Sequence, residues 1–251
     1  MNPIQKTMLS MLVWLRIGVG VAGLTLPMVL VGCGEINHFH WADSMSAYYH
    51  ANQACPVPFK GKNSDLDSSC APGAGPARDW FVGNLFFIGA AMFLIKGFST
   101  LEDILLDAAG LFVIGVALIS MPWRLDKAPP FSLHWFHEPC AILFFVCVGL
   151  TVEFCSEKTL KYVPEHPKKG RSRAFFQAWY QVFAILMFVA PIAALFVANK
   201  VGHKGFLLEF ASIWAFGLYW LFKTWELKTS GIERRAVSGD ASLVLDRSTR
   251  Y

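Results

Sequence analysis

The residues of this chain that are best suited to chemistry are a serine–histidine pair and a histidine pair, with an aspartate between them in sequence. Ser46 and His50 are four residues apart, and His134 and His137 are three apart, so each pair shares a face if its segment is helical. Three imidazoles and a water satisfy a catalytic Zn²⁺. Asp79 could orient a ligand or act as base on the metal-bound water, and Ser46 could hydrogen-bond a developing oxyanion. The pattern predicts catalytic roles for Ser46 and Asp79 and metal ligation by His50, His134 and His137.

The same residues also have simpler interpretations, which the sequence leaves open. The histidines could form a purely structural cluster at a membrane surface, or they could sense protons or gate a ligand. Asp79 directly precedes an apolar window, where an aspartate typically caps the helix or complements its dipole. It could also form a structural ion pair with its neighbour Arg78.

The elements that must position these residues are predicted to be membrane helices. The chain has 251 residues, of which 55% are hydrophobic and only 16% charged. Because a charged side chain at mid-membrane is costly, the crowding of charge between long apolar windows favours a membrane protein. An all-α polytopic bundle of six transmembrane helices follows from the windows that are long enough to cross a bilayer: 8–33, 80–98, 103–121, 134–155, 174–199 and 206–226.

Lysine and arginine set the predicted orientation. With the N-terminus inside, basic residues favour the inner segments by about two to one, and the run KKGRSR is the strongest contribution. Arg16 and Lys223 count among these inner charges. An even number of spans returns the C-terminus to the same side, which gives loop 34–78 outside and a tail, 231–251, that is predicted to be poorly ordered in the cytoplasm. The predicted location is a bacterial inner membrane.

This orientation places nearly all the histidine on the outer side. Only His166 falls inside; the outer residues are His38, His40, His50, His134, His137 and His203. Glu209, near the outer end of the sixth window, could join this cluster. Asp107, with Glu102 and Asp103, is predicted to form an acidic helix start, where the dipole favours negative charge.

The outer loop contains Cys55 and Cys70. Two loop cysteines in an oxidising compartment predict a disulfide, which would close a loop of about 15 residues and stabilise the fold by about 3 kcal/mol. Two free thiols are the alternative. The remaining cysteines lie in or at the ends of the apolar windows and are predicted to be packing residues.

Several segments resemble an uncharacterised family of bacterial multi-pass membrane proteins: SMSAYYH at 44–50, RDWFVG at 78–83, and Glu102-Asp103 followed by Ala109-Gly110. More distantly, the order Ser-x-x-x-His, Asp, histidine pair is similar to the superfamily of alkaline ceramidases and adiponectin-type receptors. That resemblance implies a zinc held by three histidines and hydrolysis of lipid amides. This chain departs from the pattern, because it has six predicted helices rather than seven and an HxxH pair on the fourth helix rather than HxxxH on the last.

Two functions are therefore predicted. The first is a non-enzymatic membrane protein, such as a transporter, sensor or accessory subunit, because no complete hydrolase motif is present. The second is a zinc-dependent membrane hydrolase acting on a lipid or amphiphile through the outer cluster. The expected partner is the lipid bilayer, with a lipid substrate in the second case. The basic residues follow inter-helix segments rather than one soluble face, which argues against nucleic-acid binding.

Overall fold

A computed structural model describes residues 1–36, 44–50, 75–119, 133–161, 163, 171–197 and 204–239. Throughout these ranges the ordered elements are helical. Seven α-helices occur: α1 (Pro3–Ile36), α2 (Pro76–Leu94), α3 (Thr100–Leu118), α4 (His137–Leu160), α5 (Arg173–Val197), α6 (Lys204–Ser230) and α7 (Ile232–Val237). Two 3-10 helices, Met45–His50 and Leu133–Phe136, precede α2 and α4.

Local sequence explains where α1 and α3 begin. At α1, the side chains of Asn2 and Gln5 each accept a hydrogen bond from the other's backbone N–H, and Pro3 occupies the first turn. At α3, Ser99 is the N-cap and accepts from the backbone N–H of Glu102. The Glu102 carboxylate reaches back to the N–H of Phe98 at 2.7 Å. These reciprocal bonds satisfy donors that the first turn of a helix leaves unpaired.

The six long helices form a closed ring. Each packs against its neighbours in sequence, and α6 returns to pack against α1. Glycines permit two of these contacts. A Cβ on Gly217 would lie 2.8 Å from the carbonyl oxygen of Gly20, and one on Gly110 would lie 2.9 Å from that of Gly89. Small residues at helix contacts are typical of membrane bundles, where close packing replaces the hydrophobic driving force.

Five of the described helices are long and apolar enough to cross a membrane: Pro3–Ile36, Pro76–Leu94, His137–Leu160, Arg173–Ala190 and Phe206–Ser230. The all-helical prediction is confirmed over these residues. The remaining predicted span, 103–121, coincides with α3. This helix is not among the five because its 19 residues include three charged side chains, Glu102, Asp103 and Asp107. Helix ends also differ from the windows: α1 begins five residues earlier than 8–33, and α6 continues to Ser230 beyond 226.

The bundle has two distinct ends, named here after the predicted orientation. At the outer end α2, α4 and α6 begin, and residues Ser44–His50, which we call the strap, pack against α1, α2 and α6. At the inner end α2, α4 and α6 finish and α3 and α5 begin. The tail that was expected to be poorly ordered starts here with α7, whose first residues Ile232 and Glu233 are buried; residues 240–251 lie outside the described part.

Candidate functional site

The strap is fixed at the outer end by Glu209, a residue of α6. The Ser44 hydroxyl donates to the Glu209 carboxylate at 2.9 and 3.1 Å, and the N–H of Met45 donates to Oε2 at 2.6 Å. Tyr48 is buried against the ring of Phe206, with 5.6 Å between the ring centroids. Glu209 therefore holds the segment that contains Ser46 and His50, although none of its described hydrogen bonds reaches a histidine. Its carboxylate is the anchor that positions the residues following Ser44.

Held in this way, the strap brings Ser46 to His137. The Ser46 Oγ lies 2.9 Å from His137 Nε2, and His137 Nδ1 hydrogen-bonds the backbone carbonyl oxygen of Ile119 at the end of α3. Because a carbonyl can only accept, Nδ1 carries the proton, and Nε2 presents its lone pair to the serine hydroxyl. His137 is buried and Ser46 half-buried. The arrangement has a hydroxyl, a base and a group that orients the base, as in enzymes that activate a serine.

The predicted zinc ligands are only partly described. His50 and His134 have their backbones in the two 3-10 helices, but their side chains lie outside the described residues. Among the side chains that are described, no group of three His, Cys, Asp or Glu residues could hold a metal. Of the three predicted zinc ligands, only the imidazole of His137 belongs to the described part of the chain.

Asp79 is not brought to this pair by any contact among the described residues. It lies in the first turn of α2 with an exposed side chain, and its backbone N–H donates to the carbonyl of Gly75 at 3.1 Å. The neighbouring Arg78 stacks over the ring of Tyr49 at 5.4 Å. This setting fits the helix-start interpretation of Asp79. Cys55 and Cys70, the predicted disulfide, lie outside the described residues.

A second polar cluster, which the sequence reasoning missed, lies at the inner end. Glu226 of α6 accepts three hydrogen bonds at Oε2: from Lys223 Nζ at 2.9 Å, Tyr180 OH at 2.9 Å and Thr159 Oγ1 at 3.0 Å. The ammonium of Lys223 also donates to Thr159 Oγ1 at 2.6 Å. Glu226 and Thr159 are 0% exposed and Lys223 and Tyr180 3% exposed. Helices α4, α5 and α6 therefore meet at one buried ion pair.

A second buried ion pair joins α1 to α7, between Arg16 Nη1 and Glu233 Oε1. Glu102 is also buried, and its carboxylate lies within electrostatic reach of both Lys223 and Arg16. Arg16 and Lys223 had been counted as inner-segment charges, yet both are buried inside the bundle. We call these seven residues the inner network: Arg16, Glu102, Thr159, Tyr180, Lys223, Glu226 and Glu233.

Two sequence signals could have found this network. Arg16 interrupts an otherwise apolar window, and an ionisable residue within a membrane span marks a functional candidate. Lys223 and Glu226 have the i, i+3 spacing of a helical ion pair. What the sequence could not supply is that Thr159 and Tyr180, far away along the chain, face the same point.

Comparisons of the chain with protein-family models, curated proteins and solved structures find no match to any of the three.

Proposed function

We propose that the chain is a six-span integral membrane protein, with α3 as the sixth span and both termini on the inner side. The three carboxylates of α3 all lie within its first two turns, and the helix from Ala108 to Leu118 carries no charge. Each carboxylate has a partner: Glu102 at Phe98 N, Asp103 at Gly97 N and Asp107 at Lys96 Nζ. With 19 residues, α3 is about 28 Å long, close to the thickness of the hydrocarbon core.

The packing of α3 also supports a full crossing. Near its outer end, a Cβ on Gly115 would lie 2.9 Å from the Cys140 sulfur, in the first turn of α4. Near its inner end, the side chain of Ser99, the N-cap of α3, lies close to Cys155 in the second half of α4. The helix therefore runs alongside much of α4, one of the five helices that are apolar enough to span.

For activity, the geometry best supports a membrane hydrolase at the outer end, with Ser46 as nucleophile and His137 as base. The observation that carries this proposal is the 2.9 Å contact between Ser46 Oγ and His137 Nε2, with Nδ1 held by the Ile119 carbonyl. The substrate would be an amphiphilic ester or amide, because the pair lies at the ends of membrane helices beside the exposed aromatic rings of Trp135 and Phe136.

The proposed reaction is acyl transfer. Ser46 Oγ attacks the substrate carbonyl carbon while its proton passes to His137 Nε2, and the Ile119 carbonyl accepts the Nδ1–H of the resulting imidazolium. His137 then protonates the leaving amine or alcohol as its bond to the acyl carbon breaks. In the second half, water attacks the acyl-serine and gives its proton to His137. His137 returns this proton to Ser46 Oγ as the bond between that oxygen and the acyl carbon breaks, which releases the carboxylic acid and restores the serine and the neutral histidine.

A fluorophosphonate probe tests this proposal without knowledge of the substrate. We expect the purified protein to be labelled at Ser46, with labelling absent from Ser46→Ala and strongly reduced in His137→Ala. Ser10→Ala removes an exposed serine of α1 and serves as the matched control, which should be labelled like the wild type. Absence of labelling in the folded wild-type protein would contradict the serine-nucleophile proposal.

The zinc-dependent version of the hydrolase remains a separate proposal that rests on His50, His134 and His137. It predicts stoichiometric zinc in the purified protein, lost when any of the three histidines is replaced by alanine and kept in His166→Ala. The second candidate function is a non-enzymatic transporter or sensor, and the buried charges of the inner network favour it. Lack of both probe labelling and zinc would leave this second candidate.

A further inference from the structure

The inner network carries an unbalanced charge. Its two cations, Arg16 and Lys223, face three carboxylates, Glu102, Glu226 and Glu233, and every one of these residues is at most 6% exposed. Helix termini supply only part of the missing positive charge. Glu102 and Glu233 lie in the first turns of α3 and α7, whose positive ends favour a carboxylate, but the negative ends of α2, α4 and α6 lie at the same end of the bundle. A buried surplus of one negative charge is costly unless another positive charge neutralises it.

The network also contains unpartnered polar atoms. Glu226 Oε1 is buried and has no hydrogen-bond partner, although Oε2 of the same carboxylate accepts three. Ser156 Oγ is likewise buried and unpartnered. Ser156 is one helical turn from Thr159 on α4, and therefore on the face of α4 that meets Lys223 and Glu226.

A third unpartnered atom, Trp220 Nε1, has the equivalent position on α6. Trp220 is one turn from Lys223, on the outer side of the ion pair, as Ser156 is on α4. Ser156 therefore lies one turn from the threonine that donates to a carboxylate with one oxygen free, whereas Trp220 is six residues from Glu226 and offers only a donor. Buried polar groups are nearly always hydrogen-bonded, so this arrangement points to a bound species.

We infer that the inner network binds one exchangeable positive charge, a proton or a sodium-sized cation, at Glu226 Oε1 beside Ser156. Either species would balance the buried charge, and hydroxyl and carboxylate oxygens are the ligands that hard cations prefer. This site is at the opposite end of the bundle from Ser46 and His137 and does not depend on the hydrolase proposal.

Several other charged or titratable groups face this site. They are Arg16 from α1, Glu102 and Asp103 from α3, Cys155 and the half-buried Lys158 from α4, Tyr180 from α5, Tyr219 and Lys223 from α6, and Glu233 from α7. Replacing Glu102 or Glu226 by glutamine would bring the count to two cations and two carboxylates. Each replacement should therefore abolish the need for the additional charge, although the two residues lie on different helices.

The test is thermal unfolding of the full-length protein in detergent, followed by tryptophan fluorescence. One arm raises the pH from about 5.5 to about 8.5 with choline as the only monovalent cation. The other holds the pH at the upper value and replaces choline by sodium at equal ionic strength. We expect alkaline choline buffer to lower the unfolding temperature by about 5–10 °C. Recovery in sodium identifies a cation site, and no recovery identifies a proton site.

Glu226→Gln and Glu102→Gln should each reduce the drop in unfolding temperature in alkaline choline buffer to less than about 2 °C. Asp107→Asn, which removes an exposed carboxylate of α3, should keep it, and Glu209→Gln controls for titration at the outer end. If Glu226→Gln does not fold, Ser156→Ala removes only the unpartnered hydroxyl. It should raise the sodium concentration that is needed for recovery or, for a proton site, shift the pH midpoint. The inference is overturned if the wild type responds to neither pH nor sodium, or if its response survives both glutamine variants.

Discussion

Lys223→Met should destabilise the protein far more than Lys96→Met, although each removes a lysine that pairs with a carboxylate. The Lys223–Glu226 side chains are 4% and 0% exposed, whereas those of Lys96 and Asp107 are 50% and 41% exposed. Removing one partner of a buried pair leaves an uncompensated charge and costs about 3–5 kcal/mol, while an exposed pair contributes about 0–1 kcal/mol. At about 2–4 °C per kcal/mol, the unfolding temperature should fall by about 6–20 °C for Lys223→Met and by at most about 4 °C for Lys96→Met.

Thermal unfolding in detergent, under one buffer and one scan rate, measures both variants. The double variant Lys223→Met/Glu226→Gln separates lost charge pairing from lost packing. Glutamine still accepts from Thr159 and Tyr180, and no buried charge of this pair remains unbalanced. It should therefore recover more than half of the loss. Equal losses for Lys223→Met and Lys96→Met, or a double variant that is less stable than Lys223→Met, would refute this reasoning.

Three further predictions follow from the contacts described above. Glu209→Ala removes the acceptor that anchors the strap. Maleimide labelling of a Ser46→Cys variant, in a background with the native cysteines replaced, should therefore become at least about tenfold faster. An unchanged labelling rate would argue against the anchor. Gly217→Leu should lower the unfolding temperature by several degrees, because its Cβ would meet the carbonyl oxygen of an α1 residue at 2.8 Å. Gly83→Leu, at a position with open space around its Cβ, should not lower it. Similar effects of the two variants would contradict the close α1–α6 contact. Gly231→Ala should cost about 1 kcal/mol, because Gly231 has φ 64° with no atom near its Cβ position, and wild-type stability of this variant would contradict the left-handed turn.

The helical architecture could be predicted because hydropathy is a local property of the sequence. Each of the six windows coincides with a helix, and the errors lie at the ends, where hydropathy does not reveal how far hydrogen bonding continues. The 103–121 window illustrates the limit. Charged residues at the start of α3 are stabilised by backbone donors and by Lys96, so an apolar helix forms there although its first eight residues include three carboxylates.

The candidate sites could be predicted only in part, because they depend on contacts between distant segments. Ser46 was singled out for its spacing from His50, whereas its described partner is His137, 91 residues away. The inner network was missed for the same reason. Lys223 was interpreted only as one of the inner-side charges that set the orientation of the helices. Its partners Thr159 and Tyr180 are uncharged, and nothing in the sequence around them indicates a buried ion pair.

The most direct test of the central claim, a bundle with six crossings and Ser46 on the outer side, is the sidedness of the two ends of α3. Single cysteines at Lys96 and Lys127, in a background with the native cysteines replaced, would be exposed in intact cells to a membrane-impermeant maleimide. We expect rapid labelling at position 127 and labelling at position 96 only after the membrane is opened, because α3 would separate the two positions. Labelling of both positions from the same side would contradict the crossing of α3 and the six-span account.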